Sequence, residues 1–239
     1  MATEFRFYLD IKALLMYNFV EKGMRKMVKF VIVRHGFSKG NKEKRFSGQL
    51  DLPLDNAGLK QAESIAKYVC QNFNIDAIYS SDLIRAYDTA KPCADALGLE
   101  INTSKELREL NVGAFTGVLV EEVKVRFAKV YEEYRKNPGF TRLPDGESYK
   151  DMQVRASAFV EKIAAENDGK TVLIATHGGV IRSLMAHWSA LPLERLSEMP
   201  LVPNASVSVA QYLDADNVTL TQIGYTDHLE DKASEEGFN

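Results

Sequence analysis

The sequence predicts an α/β protein, a three-layer α/β/α sandwich with a mostly parallel central sheet, from three observations. Short apolar runs, V-K-F-V-I-V at 28–33 and T-V-L-I-A-T at 171–176, have the unalternating character of strands covered on both faces. Between such runs lie segments with the 3.6-residue apolar period of amphipathic helices. Near the end, V-S-V-A-Q-Y-L (207–213) and N-V-T-L-T-Q-I (217–223) flank D-A-D, the pattern of a hairpin pair. Strands alternating with helices put helices on both faces of the sheet.

Taken in order, residues 1–26 contain an apolar stretch, I-K-A-L-L-M-Y-N-F-V (11–20), too short to span a bilayer. Glu4 and Asp10 stand where a signal peptide needs positive charge, and no A-x-A-like cleavage site follows. Met24 and Met27 immediately precede the first strand. The segment 1–26 is therefore either an appended helix or the product of an upstream start, and in both cases an extension peripheral to a single domain over 27–239. After the first strand, Leu59, Ala62, Ala66, Val69 and Phe73 make one helical stripe, with Asp55 placed to cap it. D-A-I-Y-S (76–80) is a third candidate strand, and one helix is expected around 120–136. Met152, Ala156, Phe159 and Ile163 form another stripe after Ser148, whose S-x-x-D with Asp151 is a capping box. No repeat, low-complexity tract or long linker divides the chain.

Composition narrows the function. With 239 residues and 45% hydrophobic content the chain can bury a sizeable core. Thirty Lys+Arg against 33 Asp+Glu, a net charge of −3, argue against a general nucleic-acid binder. Cys70 and Cys93 fall in helical patterns and form no CxxC pair, as buried thiols of a cytoplasmic protein would.

The polar residues repeat one grammar. Arg34 and His35 follow one apolar strand. Ser80, Ser81 and Asp82 follow a second, with Arg85 in the first turn of the next helix. Thr176 and His177 follow a third, and Gly178 and Gly179 lead into a helix. Open α/β sheets bind ligands at the carboxyl ends of their strands, where helix N-termini add free N–H groups. Two histidines and two arginines there suit a multiply charged anion, phosphate above all, because guanidinium groups pair with its oxygens bidentately. Taken singly, a histidine after a strand is a structural histidine and an arginine in a first turn is solvated; repetition at one end of one sheet is what points to a site. A metal centre is not indicated: there is no H-E-x-x-H or Cys/His cluster, and the arginines would repel a cation. There is no P-loop either. His187 and His228 have no such context.

R-H-G-x-S-x-x-N at 34–41 resembles the signature of the histidine phosphatase superfamily, the phosphoglycerate mutase-like proteins. The resemblance continues through R-F-S-G-Q-L-D-L-P-L-D-N-A-G-L-K-Q-A (45–62), S-S-D-L-I-R-A-Y-D-T-A (80–90) and L-R-E-L-N-V-G-A-F-T-G (107–117). It resumes at D-G-E-S (145–148), T-H-G-G-V-I-R (176–182) and N-A-S-V-S (204–208), in family order from about residue 28 to 224. It implies that His35 is the nucleophile that becomes phosphohistidine, kept neutral by surrounding positive charge. Arg34, Arg85 and His177 would clamp the phosphoryl oxygens, with Asn41 as a neutral donor and Ser47, Gly48 and Gly178 completing the substrate site. Glu109 would protonate the leaving oxygen and then activate water; spacing alone marks it as one carboxylate among 33 acidic residues. Phe37, Gly40 and Thr116 depart from common family choices and are expected at the pocket rim.

Three functions stay open under this resemblance: a phosphatase of small phosphorylated metabolites, a bisphosphoglycerate-primed phosphoglycerate mutase, and a non-catalytic binding protein. The intact polar set disfavours the third. The short stretch between Glu109 and the D-G-E-S block, and an acid motif unlike the mutase E-x-x-Y-G form, favour the phosphatase. Gly113 and Gly117 suggest a tight turn rather than a lid. The implied enzyme needs no metal or other cofactor; its partner is a small phosphorylated metabolite, with no nucleic acid or membrane and a homodimer left open. Lys39, Lys42, Lys44 and Arg45 crowd the loop after His35, either for a second anionic group on the substrate or as a solvated basic loop.

Overall fold

In a computed structural model of the chain, which describes residues 26–229, the expected extension at 1–26 lies outside the described residues except for Lys26. Strands β1 (Val28–Arg34), β2 (Ala77–Ser81), β3 (Ile101–Ser104), β4 (Thr171–Thr176), β5 (Val207–Asp214) and β6 (Asn217–Tyr225) form one sheet in the order β3-β2-β4-β1-β5-β6. The first four strands run parallel, while β5 is antiparallel to both β1 and β6, the expected late hairpin. Register sets the site: Arg34 lies opposite Thr176, and Ser80 opposite Ala175, so three adjacent strands end at one level.

Helices α1 (Lys39–Lys42), α2 (Asn56–Asn72), α3 (Ile84–Leu97), α4 (Val120–Arg126), α5 (Ala128–Lys136), α6 (Tyr149–Glu166) and α7 (Gly178–Trp188) follow in chain order. Alternate residues of the buried strands feed opposite faces. Val31, Val33, Ile78 and Leu173 join Ile65 and Val69 of α2 and Ala90 and Ala94 of α3 in one apolar layer. Phe30, Ile32, Val172 and Ile174 join Met152, Ala156 and Ile163 of α6 and Ile181 and Leu184 of α7 in the other. The three-layer arrangement is the one the sequence predicts.

Both caps form as expected. Asp55 accepts from Gly58 N at 2.9 Å, and Asp151 accepts from Ser148 N at 2.8 Å; such a cap contributes about 1 kcal/mol. Three expectations need correction. Leu59 is 49% exposed, because the buried face of α2 runs through Gly58, Gln61, Ala62, Ile65, Ala66 and Val69, one position away. Phe73 caps α2 with extended backbone rather than continuing it. The helix expected around 120–136 is two, broken at Phe127 (φ −125°, ψ 31°), whose ring turns onto Phe115 at 5.1 Å between centroids. Strand β3 was not anticipated. Cys70 and Cys93 are free thiols 3.7 Å apart between α2 and α3.

Candidate active site

The loop after β1 is held by main-chain contacts that need glycine. A Cβ on Gly58 would stand 2.0 Å from Phe37 O, and one on Gly36 2.7 Å from Gly58 O, so the loop lies directly on the first turn of α2. Side chains of the two helices take its amides: Gly36 N donates to Thr89 Oγ1 at 3.0 Å, and Phe37 N to Gln61 Oε1 at 2.8 Å. Asn204 Nδ2 donates to His35 O at 3.1 Å. The backbone that carries His35 is thereby fixed from both sides.

His35 is buried and its Nδ1 lies 2.8 Å from Gly36 O. A carbonyl only accepts, so Nδ1 carries the ring proton and Nε2 keeps its lone pair. Its pKa is held well below the usual histidine value by burial first, then by Arg85 and Arg34. The expected direction is right, but desolvation rather than positive charge is the leading cause. His177, also buried, faces it at 5.1 Å between ring centroids. The Ser81 hydroxyl accepts from Leu83 N and has its own proton for His177 Nε2, 2.8 Å away. With Ser81 as the donor in that contact, the His177 proton sits on Nδ1. Burial, followed by Arg85, holds this imidazole neutral too.

Both arginines are anchored on carbonyls. Arg85 donates to Leu50 O at 2.8 Å and Gly48 O at 2.7 Å; burial lowers its pKa to about 10, so it stays cationic near neutrality. Arg34 Nη1 donates to Val202 O at 2.5 Å. Its guanidinium packs on the start of α7, where a Cβ on Gly178 would come within 3.1 Å of Arg34 Cζ. Arg34 Nε and His177 Nδ1 are buried with no hydrogen-bond partner among the described residues. Buried donors are ordinarily satisfied, and an anion between them would do it.

Glu109 completes the set. Its carboxylate accepts from Leu110 N at 2.9 Å and from Gly179 N at 3.1 Å, at the N-terminal turn of α7. Its carbonyl accepts from Gln49 Nε2 and from Arg155 Nη2, both at 3.1 Å. Arg155 in turn pairs with Glu147 at 2.7 Å, and Glu147 accepts from Asn111 N at 2.8 Å.

Arg34, His35, Asn41, Ser47, Gly48, Arg85, Glu109 and Gly178 all line one cavity of about 850 Å³. His177, fully buried against the His35 ring, is not among the residues that line it. Asn41 uses its Oδ1 for the Ser38 cap, so the group it can offer a ligand is the Nδ2 amide. Two expectations about the rim are corrected. Of the three unusual residues only Phe37 lines the cavity; Gly40 is buried against Ser47 Oγ, and Thr116 is exposed elsewhere. Gly113 and Gly117 do form a turn with positive φ, but α4 and α5 follow it and supply a wall through Lys124, Tyr131 and Tyr134. Among the basic loop residues, Arg45 is tied to Gly117 O and Glu43, while Lys39 does not reach the cavity. Sequence reasoning assigned no role to Ser81, Asn204, Tyr134, Tyr149 and Arg155; Ser81 and Asn204 lay in quoted motifs, and the others carried no separate signal. Among the described residues no group of three His, Cys, Asp or Glu could hold a metal ion, and no helix is long and apolar enough to cross a membrane.

A neutral imidazole with a free Nε2, two cationic guanidinium groups and a carboxylate at a helix N-terminus define a class: an α/β protein equipped for nucleophilic phosphoryl transfer. The comparisons are more particular. A family model described as the histidine phosphatase superfamily (branch 1) matches residues 30–224. The chain belongs to that superfamily. It is 35% identical over 203 residues to phosphoglycerate mutase-like protein 4 of Arabidopsis thaliana, covering 84% of this chain and 86% of that protein. To phosphoserine phosphatase 1 of Hydrogenobacter thermophilus it is 31% identical over 203 residues, 85% of this chain and 95% of that one. A solved mycobacterial glucosyl-3-phosphoglycerate phosphatase in complex with VO3 superposes with a TM-score of 0.75 at 26% identity, covering 83% of this chain and 99% of that chain. Together these support a phosphatase of the superfamily, with the mutase-named relatives as the alternative.

Proposed function

We propose that this chain is a cytoplasmic, metal-independent phosphatase of small phosphorylated metabolites that works through a phosphohistidine on His35. One observation carries the reading: His35 presents an unprotonated Nε2 to the cavity that Arg34, Arg85 and Glu109 also line. Nε2 attacks phosphorus and the bond to the leaving oxygen breaks, with Glu109, which enters this step as the carboxylic acid, giving that oxygen its proton. Arg34, Arg85 and His177 Nδ1–H carry the charge that spreads over the other three oxygens. Glu109, now a carboxylate, takes a proton from water as its oxygen attacks phosphorus. The N–P bond breaks, its electron pair returns to Nε2, and orthophosphate leaves. The guanidinium groups that edge the pocket support a metal-independent mechanism, because they supply the positive charge a cation would.

The relatives' names suggest phosphorylated carboxylic acids such as phosphoserine for the first assays. Mutase activity is the second reading, favoured by the similarity to the Arabidopsis protein and by the wall that α4 and α5 place along the cavity. A mutase must shield its phosphohistidine from water. The test is phosphate release from a panel of phosphomonoesters, in EDTA and without bisphosphoglycerate, beside interconversion of 3- and 2-phosphoglycerate. Release that outpaces isomerisation is expected. Fast isomerisation that needs bisphosphoglycerate, with little free phosphate, would establish the mutase instead, and loss of all activity in EDTA that a divalent ion restores would remove the metal-independent mechanism.

A further inference from the structure

Phosphate fills only a small part of a cavity of about 850 Å³, a size at which pockets enclose whole drug-sized ligands. What lies beside Glu109 is what the leaving group meets, because Glu109 delivers its proton there. Tyr149 is within electrostatic reach of Glu109, and Arg182 is hydrogen-bonded to Tyr149. Arg182 is four residues after Gly178 on α7, hence on the same face and about 6 Å further along the axis. Its Nε donates to Met199 O at 2.7 Å, while Arg34 donates to Val202 O, so the two guanidinium groups hang from one short loop. The Tyr149 hydroxyl is hydrogen-bonded to Arg182 and to Tyr134, whose ring is stacked on that of Tyr149 at 6.4 Å between centroids. Burial raises the pKa of both phenols, so they remain neutral hydroxyls at physiological pH. Arg182 makes no ion pair among the described residues, and both of its Nη groups are beyond the Met199 contact. Val120, Tyr131 and Leu201 supply apolar wall between this corner and the open side.

We propose that Arg182, with the Tyr149 and Tyr134 hydroxyls, forms a leaving-group subsite for a second anionic group, a carboxylate or a second phosphate carried on an apolar or aromatic body. The assignment of a side to the leaving group rests on the phosphatase reading; the binding of a second anion does not. Lys42, Lys44 and Arg45 of the basic loop line the same cavity, so the test turns on Arg182 alone.

Non-hydrolysable phosphonates test it by titration calorimetry. Benzylphosphonate is compared with its 4-carboxy and 4-phosphonomethyl derivatives, on the wild type and on Arg182→Gln and Arg182→Lys. The charged ligands should bind wild type roughly 10- to 100-fold tighter, the range of a hydrogen bond to a charged group. Arg182→Gln should bring the ratio to within about twofold of unity, and Arg182→Lys, a charge without the planar fork, should keep an intermediate ratio. The better of the two derivatives identifies the second group as carboxylate or phosphate. Equal affinities of wild type for all three ligands, or a ratio unchanged by Arg182→Gln, overturns the subsite. Should Arg182→Gln fail to fold, the wild-type ratio and Arg182→Lys decide. The matching benzyl phosphates are assayed alongside: discrimination among phosphonates with no ester hydrolysed leaves the subsite standing and removes the hydrolase reading.

Discussion

His35 and His177 are neutral in the fold for a reason that reaches beyond catalysis. Their pKa values lie well below the usual histidine value, with burial the first cause and Arg85 the next. In the unfolded chain they titrate near about 6.5. Below that pH the unfolded chain binds protons that the folded one does not, so stability falls as pH drops and is level above it. Each imidazole adds about 1.4 kcal/mol per pH unit inside that window. Urea unfolding at pH 7.5, 6.5 and 5.5 should show the loss, and His177→Asn should make it shallower; an equal slope in the variant would relocate the effect to other groups. His35→Ala should abolish both turnover and the phosphoryl label retained by alkaline quench and mass analysis. Glu109→Gln keeps the pocket but cannot transfer a proton, and should cost about 10²–10⁴ in rate on alkyl phosphates and less on aryl phosphates. Equal losses on both would reassign the acid. At this scale the sequence made the basic residues legible because each directly follows an apolar strand. Glu109 was visible only through its motif, since it lies on an irregular loop and is held by main-chain amides that leave no spacing pattern. Tyr149 read as an ordinary helix residue and Arg182 only as the end of a quoted motif, because what distinguishes them is their contact with each other.

Arg155 shows how one helix governs a loop it does not belong to. From α6 it donates to Glu106 O at 2.7 Å and to Glu109 O at 3.1 Å while paired with Glu147, so a single guanidinium spans the segment that carries the proposed acid. Arg155→Ala should slow hydrolysis of alkyl phosphates by roughly 10- to 100-fold through displacement of Glu109, and of aryl phosphates by less. Combined with Glu109→Gln it should add little. Arg155→Lys should recover only part, because a single ammonium nitrogen cannot span acceptors that Arg155 reaches from three separate nitrogens. A loss independent of the leaving group would make Arg155 a stabiliser of the loop and nothing more. Elements with strong local signals were legible: β1, β4 and the hairpin through apolar runs, α2 and α6 through stripes and caps. β3 was not, since I-N-T-S is short, polar at three of its four positions and at the sheet edge, where one side needs no burial. The break at Phe127 left no mark in the apolar pattern, since no Gly or Pro stands there and the contact of its ring with Phe115 is tertiary.

Taken as a whole, the sheet order puts β2, β4 and β1 side by side, and that adjacency turns three sequence-distant polar pairs into one site. Layering was readable from periodicity; adjacency was not, because parallel neighbours are chosen by crossovers that leave no local mark. Since β1 begins at Val28 and the family match at residue 30, a chain started at Met27 should fold and retain most of its activity. An insoluble or inactive product would show that residues 1–26 belong to the working protein. The carbonyl anchoring of Arg34 and Arg85 has one more outcome. Neither guanidinium meets a carboxylate in an ion pair among the described residues, so folding gathers like charges that free solution would keep apart. Heat resistance should therefore be an ion-specific property. Orthophosphate or vanadate should raise the melting temperature with the logarithm of concentration, contributing about 2.7 kcal/mol at a hundred times Kd, while exchanging sodium for potassium leaves the melting temperature where it was.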